Sequence, residues 1–189
     1  MTREQWLNKL VSKLRPYFVK KTGQVIPKRV RVSCGWPSIR GTACKNRRLA
    51  ECWSDGNSSD DHYEIFISPV ESDSIEVSDH LVHELVHTVV GTEHGHKAPF
   101  RKIALAIGLE GEMCSSTAGP ELREHLQQLV EKIGSYPHAS VTPNVKRNKQ
   151  STRLLKCECP ECGYVVRVTQ KWIDVGLPTC PCGTEIKVA

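Results

Sequence analysis

Long apolar runs are missing from this 189-residue chain. The longest, around Leu81 to Val90, is interrupted by His83, Glu84 and His87. It is too short and too polar to span a bilayer, which excludes a membrane partner. The opening stretch MTREQWLNKLVSKLRPYF has no apolar core followed by small residues, which argues against a secretory signal. A cytoplasmic location follows as an expectation. In that compartment the nine cysteines are expected as thiols or metal ligands, not disulfides. No internal repeat occurs, which excludes solenoid and array architectures.

Acidic residues are nearly absent from the first 48 positions, where 13 Lys/Arg face only Glu4. The balance then reverses: residues 49–144 carry 5 cations and 16 acids, and residues 145–189 carry 8 and 4. Such segregation suits contact with a polyanion, and DNA is the expected partner. The alternative is that the two halves neutralise each other in the fold.

Thr2-Arg-Glu-Gln5 reads as a capping box, in which a hydroxyl and an amide cap each other's backbone N–H groups. Leu7, Leu10, Val11 and Leu14 follow with helical spacing, and Pro16 is expected to end or bend that helix. Strands are expected at Arg29–Ser33, Leu49–Trp53 and Tyr63–Ser68. Helices are expected from Ser78 to Gly91, across Phe100–Ile107 up to Gly108, and from Gly119-Pro120 to Gly134. Ser135–Thr152 is polar, contains Pro137 and Pro143, and reads as a linker. The expected organisation is an α+β domain over residues 1–134, a linker over 135–152, and a cysteine-rich unit over 153–189.

Five of the eight histidines fall between His80 and Phe100. His83-Glu84-Leu85-Val86-His87 is H-E-x-x-H. Four residues is about one helical turn, so both imidazoles share a face and chelate one ion. Glu84 sits one step round, able to reach a water on that ion without ligating it. Zinc in a catalytic site takes three protein ligands and one water, and it acidifies that water. Glu84 is then the general base on a zinc-bound water and the donor to the leaving amine. The metzincin spacing is excluded, because Val90 and Glu93 stand where that pattern has Gly and His. For the third ligand His96 is preferred, since Phe100 four residues later anchors it to a packed helix. His94 is the alternative, and Glu93 is a possible carboxylate ligand close after the helix end. His80 is expected to cap or pack.

The run HELVH, then Gly95, His96 and Phe100, then Ala-Ile-Gly-Leu-Glu-Gly, resembles the SprT-like metallopeptidases. The phage-encoded members of that family also look similar, through Val32–Pro37, Glu51–Ser54 and a terminal zinc ribbon. The resemblance spans nearly the whole chain and implies a zincin-like fold, with the host cytoplasm as location. It implies His83, His87 and His96 as zinc ligands and Glu84 as catalytic base. It also implies a protein substrate bound or crosslinked to DNA, as for the related Spartan group. The gap from His87 to His96 is shorter than in that group, so the loop shaping the cleft differs.

The tail reads Cys157-Glu-Cys159-Pro-Glu-Cys162-Gly, then Cys180-Pro-Cys182-Gly. Paired cysteines at this separation signal a structural zinc site. Cys159, Cys162, Cys180 and Cys182 are the expected ligands, with Cys157 able to replace Cys159. So short a segment needs such a staple to fold. Lys146, Arg147, Lys149, Arg153 and Lys156 precede the ribbon without an acid. Tyr164 and Trp172 are placed to stack on bases or to pack the ribbon's core. Cys34, Cys44, Cys52 and Cys114 have no paired spacing and read as buried or incidental thiols. Two Zn2+ ions are expected, one catalytic and one structural. A non-catalytic zinc-ribbon adaptor that binds nucleic acid is the competing reading, with Glu84 the residue that separates them.

Overall fold

The computed structural model describes residues 1–43, 45–143 and 153–189. Cys44 and the basic stretch Lys146, Arg147 and Lys149 lie outside the described residues, as does the second half of the expected linker. The chain divides into two compact units, Met1–Asn144 and Val145–Ala189. Both are mixtures of helices and small sheets, as an α+β class requires. Among the described residues no helix is long and apolar enough to cross a membrane.

Helix α1 (Arg3–Thr22) opens on the capping box: Thr2 Oγ1 accepts from Gln5 N, and Gln5 Oε1 accepts from Thr2 N. It runs on through Pro16, so of the two expected effects the proline does not end the helix. Proline there forfeits one backbone hydrogen bond, while the turn beyond it buries Tyr17 and Phe18. Apolar burial of that size, about 2 kcal/mol or more per side chain, outweighs the loss. Gly23, at φ 69°, ends the helix in the left-handed region.

Strand β1 (Val30–Cys34), strand β2 (Ala50–Trp53) and strand β3 (Tyr63–Ile67) form one sheet in the order β1-β3-β2. β1 runs parallel to β3, with Val32 opposite Ile65. β2 runs antiparallel, with Cys52 opposite Ile65, and forms an edge. Val32, Ile65 and Ile67 point into the core.

Helix α2 (Ser74–Val90) begins four residues before the expected Ser78. Asp73 accepts the Ile75 and Glu76 amides, and an aspartate cap fixes a helix start more firmly than apolar spacing does. α2 is the central element. It buries Val77, Leu81, Val82, Leu85 and Val86 and packs on β2, β3 and the two later helices of the first unit. Gly91 and Gly95, at φ 94° and 49°, turn the chain back. Helix α3 (Ala98–Ile107) follows, then a short hairpin of β4 (Leu109–Glu110) and β5 (Thr117–Ala118), then helix α4 (Pro120–Ile133).

The first unit extends past Gly134. Tyr136 is buried and stacks at a tilt on Trp6. Trp6 Nε1 donates to Gly134 O, Tyr136 N donates to Ser74 Oγ, and Val141 N donates to Pro69 O. The start of the expected linker is therefore a docked strap.

In the second unit β6 (Leu154–Glu158) pairs with β7 (Val165–Thr169) and with β8 (Lys187–Val188), all antiparallel. A short helix α5 (Gln170–Val175) follows β7. The small core is Cys157, Cys159, Cys180 and Ile186.

Candidate metal centres

His83 and His87 lie one turn apart on α2, and the Gly91–Gly95 turn carries His96 back over them. Nε2 of His96 is 3.1 Å from Nε2 of His83 and 3.2 Å from Nε2 of His87. The three ligand nitrogens lie within 4.8 Å of one another. A tetrahedral ion with nitrogen bonds of ~2.05 Å sets its ligand nitrogens about 3.3 Å apart, so the spacing fits such an ion. Neutral imidazoles are required for ligation, and the site supplies them. Burial, together with the neighbouring histidines, pulls His83 down to about 3 and His87 to about 4. Burial also lowers His96.

Two features around the rings were not legible in the sequence. His83 Nδ1 lies 2.9 Å from Ser116 Oγ, beside β5. With Ser116 accepting the Nδ1 proton, the Nε2 lone pair is left for a metal. Phe100 of α3 is fully buried beneath all three rings, with centroids 5.0, 4.4 and 4.9 Å from His83, His87 and His96. His94 stays outside the cluster and faces Glu93 at 3.7 Å. His80, expected to cap or pack, lines the same cleft as the three histidines, and its buried Nε2 finds no partner among the described residues.

Glu84 is buried, and burial pushes its carboxyl up to about 8, against the pull of Arg48 and the Cys52 backbone N–H. Cys52, expected as an incidental thiol, thus contributes through its backbone. The cleft holding this group is lined by Ala50, Glu51 and Cys52 of β2, by Ser116, and by arginines of the loop before β2.

In the second unit the Sγ atoms of Cys159, Cys162, Cys180 and Cys182 lie within 4.8 Å of one another. Cys159 and Cys182 sulfurs are 3.6 Å apart, and those of Cys162 and Cys180 are 3.3 Å apart. A tetrahedron with metal–sulfur bonds of ~2.3 Å sets sulfurs about 3.8 Å apart. Hydrogen bonds from the Thr184 side chain and backbone lower the Cys182 thiol to about 6, toward the thiolate that ligation needs. Cys157 is not in the group; it is fully buried on β6, opposite Val166 and Val188. A closed four-sulfur site leaves no position for a substrate, so its contribution is to folding. Trp172 is half exposed, outside the ribbon's small core.

Comparison of the chain with protein-family models, with curated proteins and with solved structures finds no match. The functional reading therefore stands on the sites themselves.

Proposed function

We propose that the chain is a zinc-dependent endopeptidase of the SprT-like type that acts on DNA-associated proteins. The observation that carries this reading is a buried carboxyl, Glu84, beside a three-imidazole cluster that opens on a cleft. A structural zinc site is closed by four protein ligands and has no use for an adjacent acid. His83, His87 and His96 would hold the ion. Bound zinc supplies Lewis acidity toward a carbonyl and lowers the pKa of water. Glu84 accepts a proton from the attacking water and returns it to the departing amine. Ser116 orients the His83 ring, and the Cys52 amide orients Glu84. β2 is an edge strand whose residues line the cleft, a setting in which an extended polypeptide finds backbone partners. The cysteine site is read as a structural zinc centre.

The test is Glu84→Gln with zinc analysis and an assay on a DNA–protein crosslink. The variant should keep two zincs and its fold while losing 10²-fold or more in cleavage, a loss of the order expected when a general base is removed. His96→Ala should retain about one zinc. Unchanged cleavage by the Gln variant would sink the mechanism and leave the adaptor reading.

A further inference from the structure

The wall of the cleft facing the histidines carries a charge pattern that the proton chemistry does not use. Arg40, Arg47 and Arg48 all line the cavity that holds His83, Glu84, His87 and His96. Arg48 is committed: its Nη1 donates to Glu51 Oε1 at 2.6 Å. Glu51 is itself buried and also takes the Ser38 amide at 2.7 Å, the Ser38 hydroxyl at 2.8 Å and Trp53 Nε1 at 3.1 Å. That hub pins both ends of the loop between β1 and β2. Within the loop, Arg47 Nε donates to Ala43 O at 2.8 Å, which orients the guanidinium, and its Nη donors have no partner among the described residues. Arg40 is exposed. Among the described residues neither Arg40 nor Arg47 enters an ion pair with a carboxylate of the chain. One oriented guanidinium, that of Arg47, and the exposed one of Arg40 therefore line a cavity whose two lining acids are spoken for. Glu51 is bound to Arg48, and Glu84 is buried beside the histidines.

We propose that this wall makes the cleft selective for acidic polypeptide, with Arg40 and Arg47 receiving Asp or Glu side chains that flank the bond presented to the histidine cluster. The inference rests on the peptidase reading for the identity of the bond, and deepens it by naming the substrate class. A guanidinium takes a carboxylate in a planar, two-bonded arrangement that a neutral amide cannot match. Ile39, Leu49 and Ala50 on the same wall suit the apolar stems of a peptide more than a sugar-phosphate backbone.

The test measures binding first, with metal-loaded Glu84→Gln protein and three labelled peptides of equal length that differ only in Glu, Gln or Lys at the flanking positions. The Glu peptide should bind about tenfold tighter than the Gln peptide and tighter still than the Lys peptide, one charge-assisted contact being worth roughly a factor of ten. The ranking should flatten in Arg40→Gln/Arg47→Gln and invert in Arg40→Glu/Arg47→Glu. The neutral pair serves if the reversed pair does not fold. Equal affinity for the three peptides, an unchanged ranking in the neutral pair, or displacement of the Glu peptide by a short single-stranded DNA at lower concentration would each overturn the proposal. Cleavage of the same peptides by the parent protein is read separately. Absence of cleavage with the binding order intact counts against the peptidase alone. Cleavage without the order counts against the charge selectivity alone.

Discussion

His83 is approached at both ring nitrogens, by Ser116 on one side and by His96 on the other. One turn earlier on α2 stands Asp79, 1% exposed, whose buried oxygens have no well-formed hydrogen bond among the described residues. Burial pushes its carboxyl up to about 6, opposed chiefly by the Ala118 amide. The folded state thus holds the Asp79 proton more tightly than the unfolded chain does. Stability is undiminished below about 3.8, falls as pH rises toward 6, and stays reduced above it. The interval corresponds to about 3 kcal/mol. Asp79→Asn should therefore raise the melting temperature at pH 7–8, by the equivalent of about 2–3 kcal/mol, and change little near pH 3.5. Melting curves across that range check it; an equal gain at both ends would point to a cause other than ionisation. At this scale the sequence discloses chemistry but not surroundings. His83, Glu84 and His87 were legible because four-residue spacing on a helix fixes their common face. Ser116, the Cys52 amide and His80 as a cleft residue were not, because nothing local to those residues encodes the contact.

The elements followed the sequence most closely where a backbone device marks their ends. Gly108 and Gly134 ended α3 and α4 as expected, and the three strands fell within a residue of their expected starts. Apolar spacing without a cap placed the start of α2 late, and Pro16 was overridden by the packing of Tyr17 and Phe18. α3 shows how an element serves the site without a ligand of its own. It delivers Phe100 beneath the three imidazoles, and it begins just after His96, with Lys97 at the N-cap position. Removing that ring leaves a cavity under the cluster. Phe100→Ala should cost about 3–5 kcal/mol, and zinc affinity should fall with it because the rings lose their floor. Phe100→Leu should keep most of both. Chemical denaturation and a zinc-competition titration separate the two effects, and a full-affinity Ala variant would show that the floor is unimportant.

For the whole molecule the segregated charge turns out to be partly internal. Lys21 pairs with Glu121, Arg29 with Asp61, Arg31 with Asp60 and Glu64, and Arg48 with Glu51. Early cations thus meet later acids, as the neutralising alternative anticipated. Apart from Arg48–Glu51, whose acid is buried, these are surface pairs that stabilise little, so their consequence is for the surface field. The proposed contact with DNA is then expected to rest more on the second unit and the basic stretch before it. Deleting everything after Pro143, which spares the docked Tyr136 and Val141, should weaken DNA binding and reduce the steepness of its salt dependence. Binding measured at several salt concentrations tests this, and an unchanged slope would assign DNA contact to the first unit. A cut after Gly134 would be a poor test, since it removes Tyr136 from the core of the unit it leaves behind.

By itself the sequence determined the chemistry that spacing alone can encode: two histidines and an acid on one helical turn, and cysteine pairs in tight turns closing a small sheet. Such pairs converge because a helix or a turn has one geometry wherever it occurs. Tertiary structure decided the rest: which later histidine returns to the pair, which serine holds the first ring, which backbone amide meets Glu84, and which arginines face the cleft. These contacts join segments far apart in the chain, and only the packing of α2 against β2, α3 and the β4–β5 hairpin brings them within reach.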